Sequence, residues 1–221
     1  MALKTEELPP LPKLSQLISA LASMEEEHMH FFEAAMPPGG VPVDAESHMV
    51  IAALRRSLDN IKGFLAMADQ RNVFCGMPIL RFQIDTAMFL FARTSVRDVE
   101  DLMLHVAAGK RLSDYAYQPK KFLSDSFLHQ ALTKKHPLTT DLYKEASGFV
   151  HFSKQHIHRV LDLARFEKTE KAVFKDMDEL TAGWHDEELR GAFVCFLWAT
   201  EAILTECKEW LESRQKVYKT E

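Results

Sequence analysis

Apolar residues in this chain recur mainly at intervals of three and four, the spacing that lines one face of an α-helix. Leu14, Leu17, Ile18, Leu21 and Ala22 open such a stripe behind Pro9, Pro10 and Pro12. It should end at Met36, because the PPGG at 37–40 cannot continue a helix. Asp44 is a good N-cap for a second helix, with Glu46 in its first turn and Val50, Leu54, Leu58, Ile61 and Leu65 as its apolar side. A third helix is predicted from about Met77 to Arg93, and a short fourth from a Ser95 cap to Ala108, stopped by Gly109. Residues 110–123 carry turn chemistry and basic charge and read as a loop. Ser124 or Asp125 opens a helix ending before Pro137. Thr139 or Thr140 caps the next, with Leu142, Ala146, Phe149 and Val150 as its apolar side. Between 154 and 176 neither period fits: Ile157, Leu161, Leu163 and Phe166 suit a short hairpin near 156–176 as well as a helix. From about His185 to Gln215 the helical pattern is strong, opened by Asp186, Glu187 and Glu188, acids that favour a helix N-terminus.

About seven helices with short connections predict an all-α, single-domain antiparallel bundle over 1–221, with residues 1–12 and 217–221 expected to be flexible. Composition sharpens this. The 8 glycines are about half the usual share, as a mostly helical chain requires. The 15 Phe and 10 Met (Phe31, Phe32, Met88, Phe89, Phe91, Met103, Phe193 and Phe196 among them) then read as core filling. A Met-rich interior can also admit an apolar ligand or a partner helix. The net charge of -5 argues against bulk binding to RNA or an anionic membrane and leaves room only for a local basic patch. The longest uninterrupted apolar run, Ala192 to Ala199, is 8 residues, against the ~20 of a membrane span. No apolar leader is visible in the first twenty residues, and Cys75, Cys195 and Cys207 form no CxxC. A cytoplasmic protein with reduced thiols is expected.

Chemistry enters where polar residues interrupt the apolar faces. The third helix reads MPILRFQIDTAMFLFAR, with 11 of the 16 residues from Met77 to Ala92 apolar. Arg81 and Asp85 sit in its middle at i and i+4, hence on one side. They read either as an ion pair that fixes helix register or as a guanidinium turned to a pocket and oriented by Asp85. In DLYKEASGFVHFS, Tyr143, Ser147 and His151 recur every four residues as one polar stripe, which His158 would join if the helix continued. The stripe is either a satisfied network or solvated side, or the lining of a cleft in which His151 handles protons. No GxSxG elbow exposes Ser147 as a nucleophile.

Arg-x-x-x-Asp in an apolar helix, followed some sixty residues later by Tyr-x-x-x-Ser-x-x-x-His, resembles the bacterial HEPN-like helical families, including abortive-infection-type domains. Those families more often carry Arg-x-x-x-Glu in the first segment. The resemblance covers roughly residues 50 to 215, with specific matches at Arg81, Asp85, Tyr143, Ser147 and His151. It implies an all-α bundle, often dimeric, sometimes acting on RNA or in phage defence. Nuclease members of those families use Arg followed four to six residues later by His. This chain has no such pair, since Arg97 and His105 are too far apart, so the resemblance does not imply ribonuclease activity.

Two histidine clusters complete the candidates. MEEEHMHFFE contains Glu25-x-x-His28 and Glu27-x-x-His30, the spacing of di-iron carboxylate helices, but no second Glu-x-x-His follows. Only Glu26, His30 and Glu33 share a face tightly enough to chelate, and a solvated acidic face is the simpler reading. Neither a bound metal nor another cofactor is expected: no cysteine pair suits zinc and no GxxxxGK cradles phosphate. Lys154, His156, His158 and Arg159 form a candidate anion site. His156 and His158 share a side if 156–158 is a strand, and diverge by about 200° if it is helical; an exposed basic turn is the plainer alternative. Three functions stay open: a HEPN-like, RNA- or defence-associated protein with an Arg81/Asp85/Ser147/His151 pocket, a non-enzymatic oligomerising or ligand-binding bundle in which those residues are structural, and a metal-binding bundle.

Overall fold

A computed structural model describes residues 11–35, 44–136, 140–151, 153–161, 168, 175–176, 178–179 and 182–218. Over these described residues the chain is an all-α bundle with a small hairpin, in the class its hydrophobic periodicity predicts. In order it runs α1 (Leu14–Ala35), α2 (Ala45–Asp69), α3 (Val73–Ala92), α4 (Val99–Ala107), β1 (Ala116–Gln118), β2 (Lys121–Phe122), α5 (Asp125–Lys135), α6 (Thr140–Val150), α7 (Lys154–Val160) and α8 (Asp186–Tyr218).

Local chemistry sets the helix starts. Asp44 accepts the Ser47 N–H at 2.8 Å, as predicted, and Ser124 accepts that of Phe127 at 3.2 Å. Two expected boundaries move. The third helix starts at Val73, not Met77: Asn72 accepts the Cys75 N–H at 3.1 Å, and Pro78 is carried inside the helix. A proline near a helix start reads as its first residue, yet the stronger cap lies upstream. Ser95 does not cap α4; Arg93–Ser95 is a 3-10 turn, and Asp98 caps the helix by accepting the Asp101 N–H at 2.9 Å.

A hairpin also forms where a loop is expected. Residues 154–160, which suit a strand as well as a helix, form α7. The hairpin lies in the segment read as a loop, with Ala116 opposite Phe122 and Gln118 opposite Lys121, antiparallel. Its signal was the period-2 aromatic pair Tyr115 and Tyr117. Tyr115 is buried and Tyr117 stacks on Phe127 at 4.8 Å. Within the expected 156–176 hairpin, Leu161 lies in a β-bridge and the Lys175 N–H donates to the Val160 carbonyl at 3.0 Å; most of the remaining residues lie outside the described ones.

α3 is the central element. It packs against α2, α5, α6 and α8, which explains why most of its circumference is buried. Val73–Ser95 is long and apolar enough to cross a membrane (mean hydropathy 1.3), but 61% of that window is buried within the bundle. Two buried cores flank α3. One gathers Leu54, Leu90, Leu102, Ile203 and Trp210; the other gathers Leu21, Leu80, Phe64, Phe193 and Phe196. Phe64 stacks on Phe196 at 4.3 Å and meets Phe193 edge-on at 5.1 Å. Met88, Phe193 and Phe196 thus lie in the interior and Phe31, Phe32, Phe89, Phe91 and Met103 half-buried at its margin, while Met29, Phe74, Phe82 and Phe122 are exposed.

Gly76 and Gly183 permit the approach of the α8 entry segment to α3. A Cβ on Gly76 would lie 2.0 Å from the Trp184 ring, and one on Gly183 would lie 1.9 Å from the Arg71 carbonyl oxygen. That oxygen accepts the Trp184 N–H at 2.9 Å.

Candidate functional site

Arg81 and Asp85 emerge from the middle of α3 on the side facing α6, and Tyr143 and Ser147 emerge from α6 one turn apart. The structure brings these four together. Arg81 Nε donates to Ser147 Oγ at 2.9 Å and one terminal nitrogen donates to the Tyr143 hydroxyl at 2.7 Å. The other terminal nitrogen forms an ion pair with Asp85. The guanidinium carbon also sits 4.0 Å from the centroid of the Tyr143 ring. Ser147 completes its own bonding by donating to the Tyr143 carbonyl.

Only 10% of the Arg81 side chain is exposed, against 29% for Asp85. Burial draws the Arg81 pKa below its ordinary value; Tyr143 and Asp125 oppose that, and nearby Arg56 adds to it. Burial raises the Tyr143 hydroxyl pKa, Arg81 pulls it down, and Asp125 pushes it up. Arginine remains a cation throughout the physiological range.

The fifth member of the sequence motif departs from the group. α6 ends at Val150, so His151 lies in a bend just past the helix, exposed, with no hydrogen bond to Arg81 among the described residues. Two residues that the spacing rules could not reach take its place, both from α5. Asp125 comes within 3.8 Å of Arg81, and the buried His129 ring lies 4.2 Å from that of Tyr143.

The other candidates disperse. Because 154–160 is helical, positions 156 and 158 lie about 200° apart around the axis and not on the one side a strand would give. His156 is half-buried rather than part of an exposed turn, stacking on Phe74 at 5.5 Å and lying 5.7 Å from Phe149. Arg159 is engaged by Glu188 through two nitrogens, at 3.0 and 3.3 Å. The side chains of Lys154 and His158 lie outside the described residues. Glu26, His30 and Glu33 are all exposed on α1, and no group of three or more His, Cys, Asp or Glu could hold a metal among the described residues.

Two buried polar networks escaped the sequence reading. In the first, His28 donates from Nδ1 to the Met24 carbonyl at 2.6 Å and accepts at Nε2 from the Ser57 hydroxyl at 2.7 Å. This assignment follows because the Met24 carbonyl can only accept, which puts the proton of the neutral ring on Nδ1 and leaves Nε2 to accept from Ser57; Ser57 in turn accepts from Gln83 at 2.7 Å. Gln83 also donates to Thr200 at 2.9 Å and accepts from Asn60 at 3.0 Å. The chain of bonds links α1, α2, α3 and α8. Burial lowers the His28 pKa, partly offset by the Met24 carbonyl.

The second centres on Glu206, which has no exposed surface. Lys135 Nζ lies 2.6 Å from its carboxylate, and Arg93 donates to its backbone oxygen at 2.7 Å while reaching Glu46 at 3.0 Å. Gln83, only two residues from Arg81 in the same apolar run, and Glu206 in AILTECKEW are signals of the same kind as Arg81: polar groups inside apolar helices.

Comparison with known proteins finds no matching family model, no similar curated protein and no similar solved structure.

Proposed function

We propose that the chain is a HEPN-like helical protein that works by association, in an RNA- or defence-related setting, and not by catalysis. Arg81, Asp85, Tyr143 and Ser147 are then the structural lock of its bundle. One observation carries this reading: two of the three nitrogens of Arg81 are hydrogen-bonded by Ser147 and Tyr143, and the third, which has no hydrogen bond, is ion-paired with Asp85. A guanidinium held this way, with its charge paired inside the chain and only 10% of its side chain exposed, is poorly placed to present a fork to a phosphate. His151, the side chain best suited to move protons near neutral pH, is exposed beyond α6. A dimer belongs to the same proposal and rests on the family resemblance. So does a cytoplasmic location, with which three free cysteines are consistent.

A second reading keeps an anion-accepting pocket at this place. Its support is that one terminal nitrogen of Arg81 is buried with no hydrogen-bond partner, a donor that an incoming anion would satisfy, with Arg56 as a second cation nearby.

The test is to incubate the purified chain with single-stranded and duplex RNAs and to melt the variants in parallel. No cleavage is expected; His151→Ala should melt like the parent and Arg81→Ala well below it. Cleavage that His151→Ala abolishes at unchanged melting temperature overturns the proposal. Salt-sensitive RNA binding lost in Arg56→Ala, again without a change in melting, favours the pocket instead. Sedimentation equilibrium checks the dimer.

A further inference from the structure

Toward the start of α3, away from the Arg81 lock, the elements part to leave a cleft of about 190 Å³. Its walls are Val73 and Met77 of α3, Phe149 of α6, and Trp184, Gly191 and Ala192 at the start of α8. Each of these except Gly191 is a buried apolar residue of the second core. The cleft is therefore an unfilled part of that core opening outward. Three features give it the character of a binding site.

The first is Gly191. It lies inside a long helix, where glycine costs about 1 kcal/mol relative to alanine, and nothing lies within 4 Å of where its Cβ would be. Close packing therefore does not demand glycine here, in contrast to Gly76. What its missing side chain leaves is room beside the cleft. The second is charge. The charged residues that line the cleft, Arg159 and Glu188, hold each other through two hydrogen bonds, and Glu188 also accepts the His185 N–H at 3.2 Å. The lip is neutral as a unit, and an ionic ligand would enter an apolar cleft without a counter-charge. The third is size. An apolar cavity of about 150 Å³ holds benzene, whereas drug-sized ligands occupy about 300 Å³ or more. The volume here fits one substituted ring or a small fused bicycle, and Met77 and Phe149 offer sulfur and ring contacts to it.

We propose that this cleft binds a small neutral aromatic molecule, seated among Met77, Phe149 and Trp184 with the Arg159–Glu188 pair at its mouth. The proposal does not depend on the role assigned to Arg81, so either can fail alone.

Indole is the probe. Titrated into the purified chain and followed by ¹H–¹⁵N NMR, it should give saturable shifts, largest at the Gly191 amide and the Trp184 ring N–H. Its charged relatives indole-3-acetate and tryptamine should bind at least about tenfold more weakly, for want of a partner charge. Gly191→Leu, which places a side chain in the open space, should abolish the shifts while the protein still melts cooperatively. No saturable shift with indole at concentrations up to about 5 mM overturns the proposal. So do shifts confined to residues away from the cleft, a result read on the parent alone if Gly191→Leu fails to fold. Equal binding of the two charged relatives also counts against it.

Discussion

Tyr143 meets Arg81 twice: its ring lies under the guanidinium carbon at 4.0 Å, and its hydroxyl accepts from the same group at 2.7 Å. A single α6 side chain thus both desolvates the buried cation of α3 and satisfies it. Ser147, one turn further along, takes the Nε–H. The two helices are held in one register by this contact, because a shift of one residue would carry both acceptors off the guanidinium.

Removing Arg81 should therefore be costly. Arg81→Ala leaves Asp85 without its cation and is expected to lose about 3–5 kcal/mol of stability. Tyr143→Phe, which keeps the ring and drops the hydroxyl, should cost nearer 1 kcal/mol. Urea unfolding of both and of the double variant reads the coupling. If Tyr143→Phe costs the same with and without Arg81, the hydroxyl contact contributes nothing.

Glu206 should behave as a buried charge held by its neighbours. Glu206→Ala removes one of two carboxylate partners from each of Arg93 and Lys135, which keep Glu46 and Glu209, and about 1–3 kcal/mol should be lost. The double variant Arg93→Met/Glu206→Leu should recover part of that, since the charges it leaves, Glu46 and Lys135, both reach solvent. Chemical denaturation of the parent, Glu206→Ala and the double variant measures it; a double variant no more stable than Glu206→Ala would contradict the account.

His28 should make stability fall in mild acid. Its folded-state pKa lies below the ordinary 6.5 because burial opposes the cation. The unfolded chain then takes up a proton first as pH falls. The contribution of neutral His28 is complete above about pH 6.5 and is lost below it, by at most about 1.4 kcal/mol per pH unit, until the folded-state value is reached. Unfolding free energies at pH 7, 6 and 5 should show a steeper fall for the parent than for His28→Gln. Parallel pH profiles would exclude the assignment.

The three cysteines should separate by reactivity. Cys75 is exposed, whereas burial pushes the Cys207 thiol up to about 12, and Cys195 is buried in α8. Iodoacetamide followed by mass spectrometry should label Cys75 alone in the native protein and all three in denaturant, because only an accessible thiolate reacts. Native labelling of Cys207 would mean that α8 opens readily.

The helices were legible because their apolar stripes depend only on order along the chain. Asp44 and Ser124 were legible as caps for the same reason, as each bonds a backbone group three residues away. The i, i+4 pairing of Arg81 with Asp85 and the one-turn spacing of Tyr143 and Ser147 also follow from helical geometry alone. What the sequence by itself could not decide is which helix faces which. That Arg81 meets Tyr143, that His151 falls past the end of α6, and that His28 reaches Gln83 through Ser57 all depend on packing between distant segments. The same holds for the cleft beside Gly191, which exists only where α3, α6, α7 and α8 come together. Periodicity fixes the face a side chain occupies, and only the burial of those faces against one another selects its partner.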